Sequence, residues 1–250
     1  MADRPSVSVV MATYNGVAYV EEQIASILEQ LHPGDELVVV DDASTDATAD
    51  VVAAIGDPRI RLVRSLENRG YVRTFEAAIG ASSGEAVLLA DQDDVWLPRH
   101  VEALAEALRD HRVAASNLRV LGTGAGLQGP TGKAGWELRA RDEDRTLANL
   151  GGVLAGVRPY YGCAMAVRRD ALATALPFPH WLTESHDLWL ATYGILAGSI
   201  AHVEEPTVLR RLHADNQTPV RPRGVVPALR SRLMLLRAVV ELRRRISRRR

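Results

Sequence analysis

Along the first half of the chain, short β-branched runs alternate with stretches whose apolar residues recur at helical spacing. Val7 to Met11 reads as a buried strand, closed by the turn residues Thr13, Tyr14, Asn15 and Gly16. A helix over about Tyr19 to Leu31 follows, stopped by Pro33 and Gly34. The same alternation predicts strands at Glu36 to Val40 and Ile60 to Arg64, helices at Thr45 to Ile55 and Tyr71 to Ala81, and a fourth strand at Ala86 to Ala90. Strands that alternate with helices form a doubly wound, mostly parallel α/β sheet, and ligands of such sheets sit outside the carboxyl ends of the strands.

The second half is less regular. A helix near Pro98 to Asp110 and a strand near Val113 to Leu121 lead into a glycine-rich stretch from Gly122 to Gly135, read as a lid over the cleft. Beyond it the pattern predicts a strand near Gly162 to Val167, a helix starting near Glu184, and two short strands around Ile200 to Val203 and Thr207 to Leu212. Residues 1–220 form one domain in this reading, with a nucleotide-binding half to residue 95 and an acceptor half after it. Residues 221–250 form a basic helical tail.

Composition removes several classes. The chain is 47% apolar over 250 residues, too apolar for intrinsic disorder. Cys163 is the only cysteine, so neither an internal disulfide nor a cysteine-rich zinc site is available. The polar N-terminus does not fit a signal peptide, and no apolar run approaches the ~20 residues that span a bilayer; a cytoplasmic protein is expected. The net charge of −1 hides an asymmetry: residues 221–250 hold eleven arginines against one acid, Glu241, which leaves 19 basic and 30 acidic side chains in residues 1–220. An acidic body makes nucleic acid an unfavoured partner.

The acids gather where a ligand would sit. Asp91, Gln92, Asp93 and Asp94 directly follow the fourth strand. Crowded carboxylates repel one another unless a cation joins them, and Asp91 and Asp93 at i and i+2 suit Mg²⁺ or Mn²⁺, which take oxygen ligands shared with substrate phosphates. The alternative is an acidic turn that caps the next helix. Thr13, Tyr14 and Asn15 after the first strand and Asp41 and Asp42 after the second should line the same crevice, Tyr14 against a base and Asp41 against base or ribose hydroxyls. Asp42 and Ser44 can equally cap the helix near Thr45. Asn68, Arg69 and Gly70 open the third helix, whose N-terminus favours an anion, with Arg73 one turn in.

Further along, Trp181 and Trp189 flank Glu184 and Asp187, a combination of sugar-stacking rings and a carboxylate able to take a hydroxyl proton. His213, after the last strand, is a candidate third metal ligand beside Arg210 and Arg211. Gly124, Gly126 and Gly129 match GxGxxG, yet Pro130 and the glycines after it forbid the helix such a site needs; Gly132-Lys133-Ala134 lacks the hydroxyl of a P-loop. The acidic motif also fits a phosphohydrolase of the haloacid dehalogenase type with Asp91 as nucleophile. That class needs a lysine, and the one lysine, Lys133, lies in the glycine-rich stretch.

In order, MATYNG, VVVDDAST, ENRGYVRTF, LLADQDDVW, ESHDLWL and RRLHADN resemble glycosyltransferase family 2, inverting enzymes with the A-type fold, and most closely its bacterial rhamnosyltransferase-like members. The resemblance implies a nucleotide-sugar donor such as a dTDP- or UDP-sugar, Mg²⁺ or Mn²⁺, and a saccharide or lipid-linked saccharide acceptor. It places Thr13, Tyr14, Asn15, Asp41, Asn68, Arg73 and Asp91 around the donor, Asp91 and Asp93 at the metal with Asp93 the direct ligand, Asp187 as base and His213 near the diphosphate; the residues themselves put His213 at the metal and Trp181, Trp189 and Glu184 at the acceptor. Relatives often carry Tyr-Arg-Gln-His where this chain has Arg210-Arg211-Leu212-His213. In the tail, Leu229, Leu233, Leu236 and Val240 form one helical row and Leu235, Val239, Leu242 and Ile246 another. One row can pack on the domain while arginines face an anionic membrane; a helix docked on its own domain or on a second subunit is the other reading.

Overall fold

Among the described residues, eight strands form one sheet in the spatial order Ile60–Arg64, Glu36–Asp41, Val7–Thr13, Ala86–Asp91, Met165–Arg168, Val113–Val120, Ile200–Arg210, Val95–Trp96. A computed structural model describes residues 4–129, 132, 135–213 and 224–249 of the chain. Lys133, Asp215 and Asn216 lie outside these residues. The first half is the alternation expected: β1 (Val7–Thr13), α1 (Val20–Leu28), β2 (Glu36–Asp41), α2 (Thr48–Ala54), β3 (Ile60–Arg64), α3 (Tyr71–Ala81) and β4 (Ala86–Asp91). These four strands pair in parallel. β1 and β4 are neighbours, so the segments after Thr13 and Asp91 emerge side by side.

The two faces of β1 explain why the sheet is covered on both sides. Val7, Val9 and Met11 point into a cluster with Ile24 and Ile27 of α1, whereas Val10 points into another with Val72 and Phe75 of α3. Burial on both faces is what makes parallel strands read as continuous apolar runs rather than alternating ones. At the N-terminal edge, a Cβ on Gly84 would lie 2.6 Å from the Ser8 nitrogen, so the turn into β4 closes against β1 only with glycine there.

The second half departs from the parallel pattern. β5 (Val95–Trp96), α4 (His100–Ala107), β6 (Val113–Val120), α5 (Thr146–Ala155), β7 (Met165–Arg168), α6 (Arg169–Ala175), α7 (His186–Leu196), β8 (Ile200–Arg210) and α8 (Val225–Ser247) follow. β7 runs antiparallel to both neighbours, and β5 runs antiparallel to β8. The two strands expected around Ile200 to Leu212 are one: β8 pairs with β6 through register shifts next to Pro206, where the missing amide is tolerated. The strand expected from Gly162 begins at Met165, after a 3-10 turn at Gly162–Ala164. α5, which holds Gly151 and Gly152, and the seven-residue α6 went unpredicted because neither displays helical periodicity strongly; both gain their stability by packing on α7 and α8.

The tail is a structural element of the domain. α8 lies against α5, α6 and α7 and contributes Leu235, Ala238 and Leu242 to the core. Arg245 donates to the carbonyls of Ala175 and Pro177, each at 2.9 Å. Truncating Leu242, which is fully buried, to alanine should cost about 2 to 5 kcal/mol. Truncating Leu233, 62% exposed on the opposite side, should change stability by less than ~0.5 kcal/mol. Urea unfolding of the two variants measures the contrast, and equal losses would show that α8 is docked in another way.

Candidate active site

Loops from β1, β2 and β4 meet at the carboxyl edge of the sheet and are tied together by side chains that accept backbone hydrogens. Thr13 donates its hydroxyl to Asp41 Oδ1 at 3.0 Å, and the Ser44 hydroxyl donates to the same oxygen at 2.6 Å. Asn15 takes a left-handed backbone (φ 49°), and its side-chain oxygen accepts from the Thr45 amide at 2.8 Å. Asp42 accepts the amides of Arg69 and Gly70, both at 2.9 Å. Asp42 thus holds the approach to α3 rather than capping a helix near Thr45. Asp46 bonds the Thr48 amide at the start of α2. Asp41 and Asn15 are therefore braces of the crevice wall, and Asn68 braces its own turn by accepting from the Gly70 amide at 3.2 Å.

The residue between the two acids of the motif fastens β4 to β1. Gln92 accepts from the Tyr14 amide at 2.9 Å and donates to the Tyr14 carbonyl at 3.0 Å. Its side chain lies where a Cβ on Gly16 would stand, only 2.2 Å from Oε1, so Gly16 and Gln92 are a matched pair. The Tyr14 ring, 45% exposed, is left facing outward at the mouth of the cleft.

Behind Gln92 the acids are separated by burial. Asp93 Oδ2 and His213 Nε2 lie 2.6 Å apart, and His213 stacks on Tyr19 with centroids at 4.9 Å. Asp94 is 2% exposed; one oxygen accepts from the Arg211 amide at 2.9 Å, and the carboxylate is buried beside the Cys163 thiol. Asp91, Asp94 and the Cys163 sulfur lie within 4.8 Å of one another. Burial, followed by the neighbouring Asp93 charge, pushes Asp94 up to about 6. Burial and then the charges of Asp94 and Asp93 hold Asp91 well above the usual carboxylate range. Burial also keeps the Cys163 thiol protonated.

Asp187 joins this group from the first turn of α7. Its charge acts on Asp91, and burial pushes its own carboxyl up to about 6. The chain reaches it through Ser185, which adopts a left-handed backbone and donates its amide to the Tyr71 hydroxyl at 3.0 Å, fixing the start of α7 against the start of α3. A Cβ at Gly162 would sit 3.6 Å from the Asp187 Cβ, which shows how closely that segment approaches the carboxylate.

Arg210 is the residue the sequence did not single out for this role. Only 8% exposed, it lies with its guanidinium carbon 4.7 Å from the centre of the Tyr161 ring, and its charge acts favourably on Asp91, Asp94 and Asp187. The position flagged as departing from the relatives' tyrosine thus places a permanent cation among the acids.

Three sequence expectations change. Trp189 is fully buried and donates its indole N–H to the Ala175 carbonyl at 3.0 Å, so it is a core residue and no face remains for a sugar. Arg73 donates to Glu76, to the Phe178 carbonyl at 2.9 Å and to the Pro179 carbonyl at 2.6 Å, which makes it a strut between α3 and the chain before α7. The Trp181 ring is covered by the Arg237 guanidinium at 4.5 Å. Glu184 is partly exposed near the cleft. Trp136, directly after the glycine-rich stretch, lies edge-on to Tyr161 with ring centroids 6.0 Å apart.

A hard divalent cation fits this donor set. Two carboxylates of the motif, Asp91 and Asp94, approach one another within 4.8 Å, and the one sulfur in reach, Cys163, is a protonated thiol, a poor competitor for oxygen-seeking ions. Among the described residues, Asp91 and Asp94 are the carboxylates brought within reach of one ion, while Asp93 and His213 pair with each other at 2.6 Å.

Residues 8–174 match the family model described as glycosyl transferase family 2. The putative teichuronic acid biosynthesis glycosyltransferase TuaG of Bacillus subtilis is 35% identical over 115 residues, 45% of this chain and 46% of that protein. The chain spans less than half the length of the curated relatives it matches. In three dimensions it resembles S. aureus TarS 1-349 in complex with UDP-GlcNAc (TM-score 0.69, 20% identity, 96% of this chain and 72% of that one). It also resembles the mannosyltransferase PcManGT from Pyrobaculum calidifontis in complex with GDP-Man and Mn²⁺ (TM-score 0.60, 21% identity, 98% and 75%). The architecture is the A-type fold that the sequence motifs implied.

Replacing Arg210 by methionine should destabilise the protein on the order of 3 kcal/mol at pH 7.5 with EDTA present, because buried carboxylates lose their counter-charge. Asp94 and Asp187, with pKa values of about 6, bind protons as pH falls, so the loss should shrink markedly at pH 5. Urea unfolding at both pH values tests this; a loss independent of pH would assign Arg210 to packing alone.

Proposed function

The chain belongs to glycosyl transferase family 2, and on that premise we propose that it transfers a sugar from a nucleotide-diphospho-sugar to a saccharide or lipid-linked saccharide acceptor, with inversion at the anomeric carbon. The observation that carries the proposal is the convergence of Asp187, Asp91 and Asp93 on one crevice at the carboxyl ends of β1 and β4. The donors proposed are dTDP- and UDP-sugars, dTDP-rhamnose among them. Structural relatives in complex with UDP-GlcNAc and with GDP-Man support a nucleotide-sugar, and relatives named for teichuronic acid and succinoglycan biosynthesis support a role in polysaccharide assembly.

The residues divide the work as follows. The Tyr14 ring packs on the base, and the loop from Thr13 to Asn15, braced by Asp41 and Gln92, shapes the nucleoside site beside Asn68. Asp187 accepts the acceptor's hydroxyl proton as that oxygen bonds to the anomeric carbon. The bond from that carbon to the diphosphate oxygen breaks on the opposite face, and its electron pair leaves with the nucleoside diphosphate. A Mg²⁺ or Mn²⁺ held by Asp91, Asp93 and His213 supplies, when bound, Lewis-acid neutralisation of the departing diphosphate. Glu184 borders the acceptor side. A carboxylate base with pKa about 6 is mostly ionised at neutral pH, yet more basic than an exposed aspartate.

Asp187→Asn should lower kcat by ~10² to 10⁴-fold and leave nucleotide affinity intact. In the wild type, kcat/KM should rise with pH through an ionisation near 6, since only the deprotonated carboxyl accepts the proton. A fully active Asp187→Asn variant would remove the base assignment. Asp93→Ala should weaken UDP or dTDP binding measured calorimetrically with Mn²⁺ at least tenfold; unchanged affinity would remove Asp93 from the metal.

A further inference from the structure

We infer that the outer face of α8 is a docking surface for an anionic lipid bilayer, on which the helix lies parallel to the membrane plane. The two apolar rows of this helix have opposite fates in the fold. Leu235, Ala238 and Leu242 are at most 1% exposed against α5, α6 and α7. Leu229, Leu233, Leu236 and Val240 stand 56%, 62%, 48% and 52% exposed, and no element among the described residues covers them. At 3.6 residues per turn these four project within an arc of about 60°. Arg230 and Arg244 border that stripe on one side and Arg243 on the other, all exposed.

An exposed apolar stripe bordered by cations is the pattern of a helix seated at a lipid interface, its leucines among the upper acyl chains and its arginines at the headgroups. No helix among the described residues is long and apolar enough to cross a membrane, so the contact is lateral. Charge separates a bilayer from a second copy of the chain. The one acid of α8, Glu241, is held by Arg245 at 3.0 Å, so stacking two such faces would oppose arginine to arginine with no acid between them. An anionic surface complements the whole row, while the acidic body, with 30 acids against 19 basic residues over residues 1–220, is repelled and orients the molecule tail-first.

The docking stands apart from the transfer reaction, but its consequence for the acceptor rests on the reading above. α8 packs on α7, which carries Asp187, and Arg237 covers Trp181, six residues before that carboxylate. A membrane under α8 therefore lies one helix away from the element that bears the proposed base and suits an acceptor presented on a lipid.

Co-sedimentation of the full chain with vesicles tests the inference without any turnover. Vesicles of phosphatidylcholine with about 30% phosphatidylglycerol should pellet the protein, and pure phosphatidylcholine should pellet at least tenfold less, since each arginine at an anionic surface is worth roughly fivefold in partition. Leu233→Glu with Leu236→Glu, and separately Arg243→Glu with Arg244→Glu, should each lower binding more than tenfold while melting like the wild type, because all four side chains are exposed. Equal pelleting with both vesicle types, or wild-type binding by both double variants, overturns the inference. So does a concentration-dependent dimer in sedimentation velocity, without lipid, that the leucine variant abolishes.

Discussion

The constraint on which the rest of the site depends is the crowding of carboxylates at the end of β4. Asp91, Asp93 and Asp94 follow one another within four residues, Asp187 arrives from α7, and two of the four are pushed up to about 6 by burial. Such a group is unfavourable by itself, and the structure answers it in three ways. Asp93 is placed against His213, Asp94 accepts the Arg211 amide, and Arg210 is buried among the remaining charges. All three answers come from the end of β8 and the residues just after it, so the last strand supplies the countercharge for the fourth.

That dependence ties the two halves of the chain into one site. The first half of the chain contributes the crevice wall, braced by Asp41, Asp42 and Gln92, and the later half contributes Asp187 and the cations. The single sheet makes this possible: β7 bridges β4 to β6, and β6 carries β8 back toward the acids. α8 completes the scheme from outside by packing on the helix that carries Asp187, so the helix with the basic surface also buttresses the proposed base.

Much of this was legible in the sequence because it is local. The period of apolar residues identified β1 to β4 and the helices between them, and β3 and α3 have the residue bounds the pattern predicts. The acidic turn after β4 follows from adjacency alone. The misses share a cause: burial of Trp189, diversion of Arg73 to carbonyls more than 100 residues away, and the merging of two short runs into β8 all depend on partners distant in sequence. Gln92 had a signal in Gly16, since a glycine opposite a motif marks a close approach, but 78 residues separate Gln92 from Tyr14 and only the pairing of β1 with β4 brings them together.

The sequence by itself determined the doubly wound beginning of the fold, the family resemblance of its motifs, and the presence of two apolar rows on a basic helix. Spacing decides which residues share a face, because the helical and strand periods are fixed by backbone geometry. Only the tertiary structure decided which face is covered: that Leu235 and Leu242 go inward while Leu233 stays outside, that Trp189 is core, and that Arg210 is the cation among the acids. Those choices are made by long-range packing and by the cost of burying unpaired charge, neither of which is written in any local window of the chain.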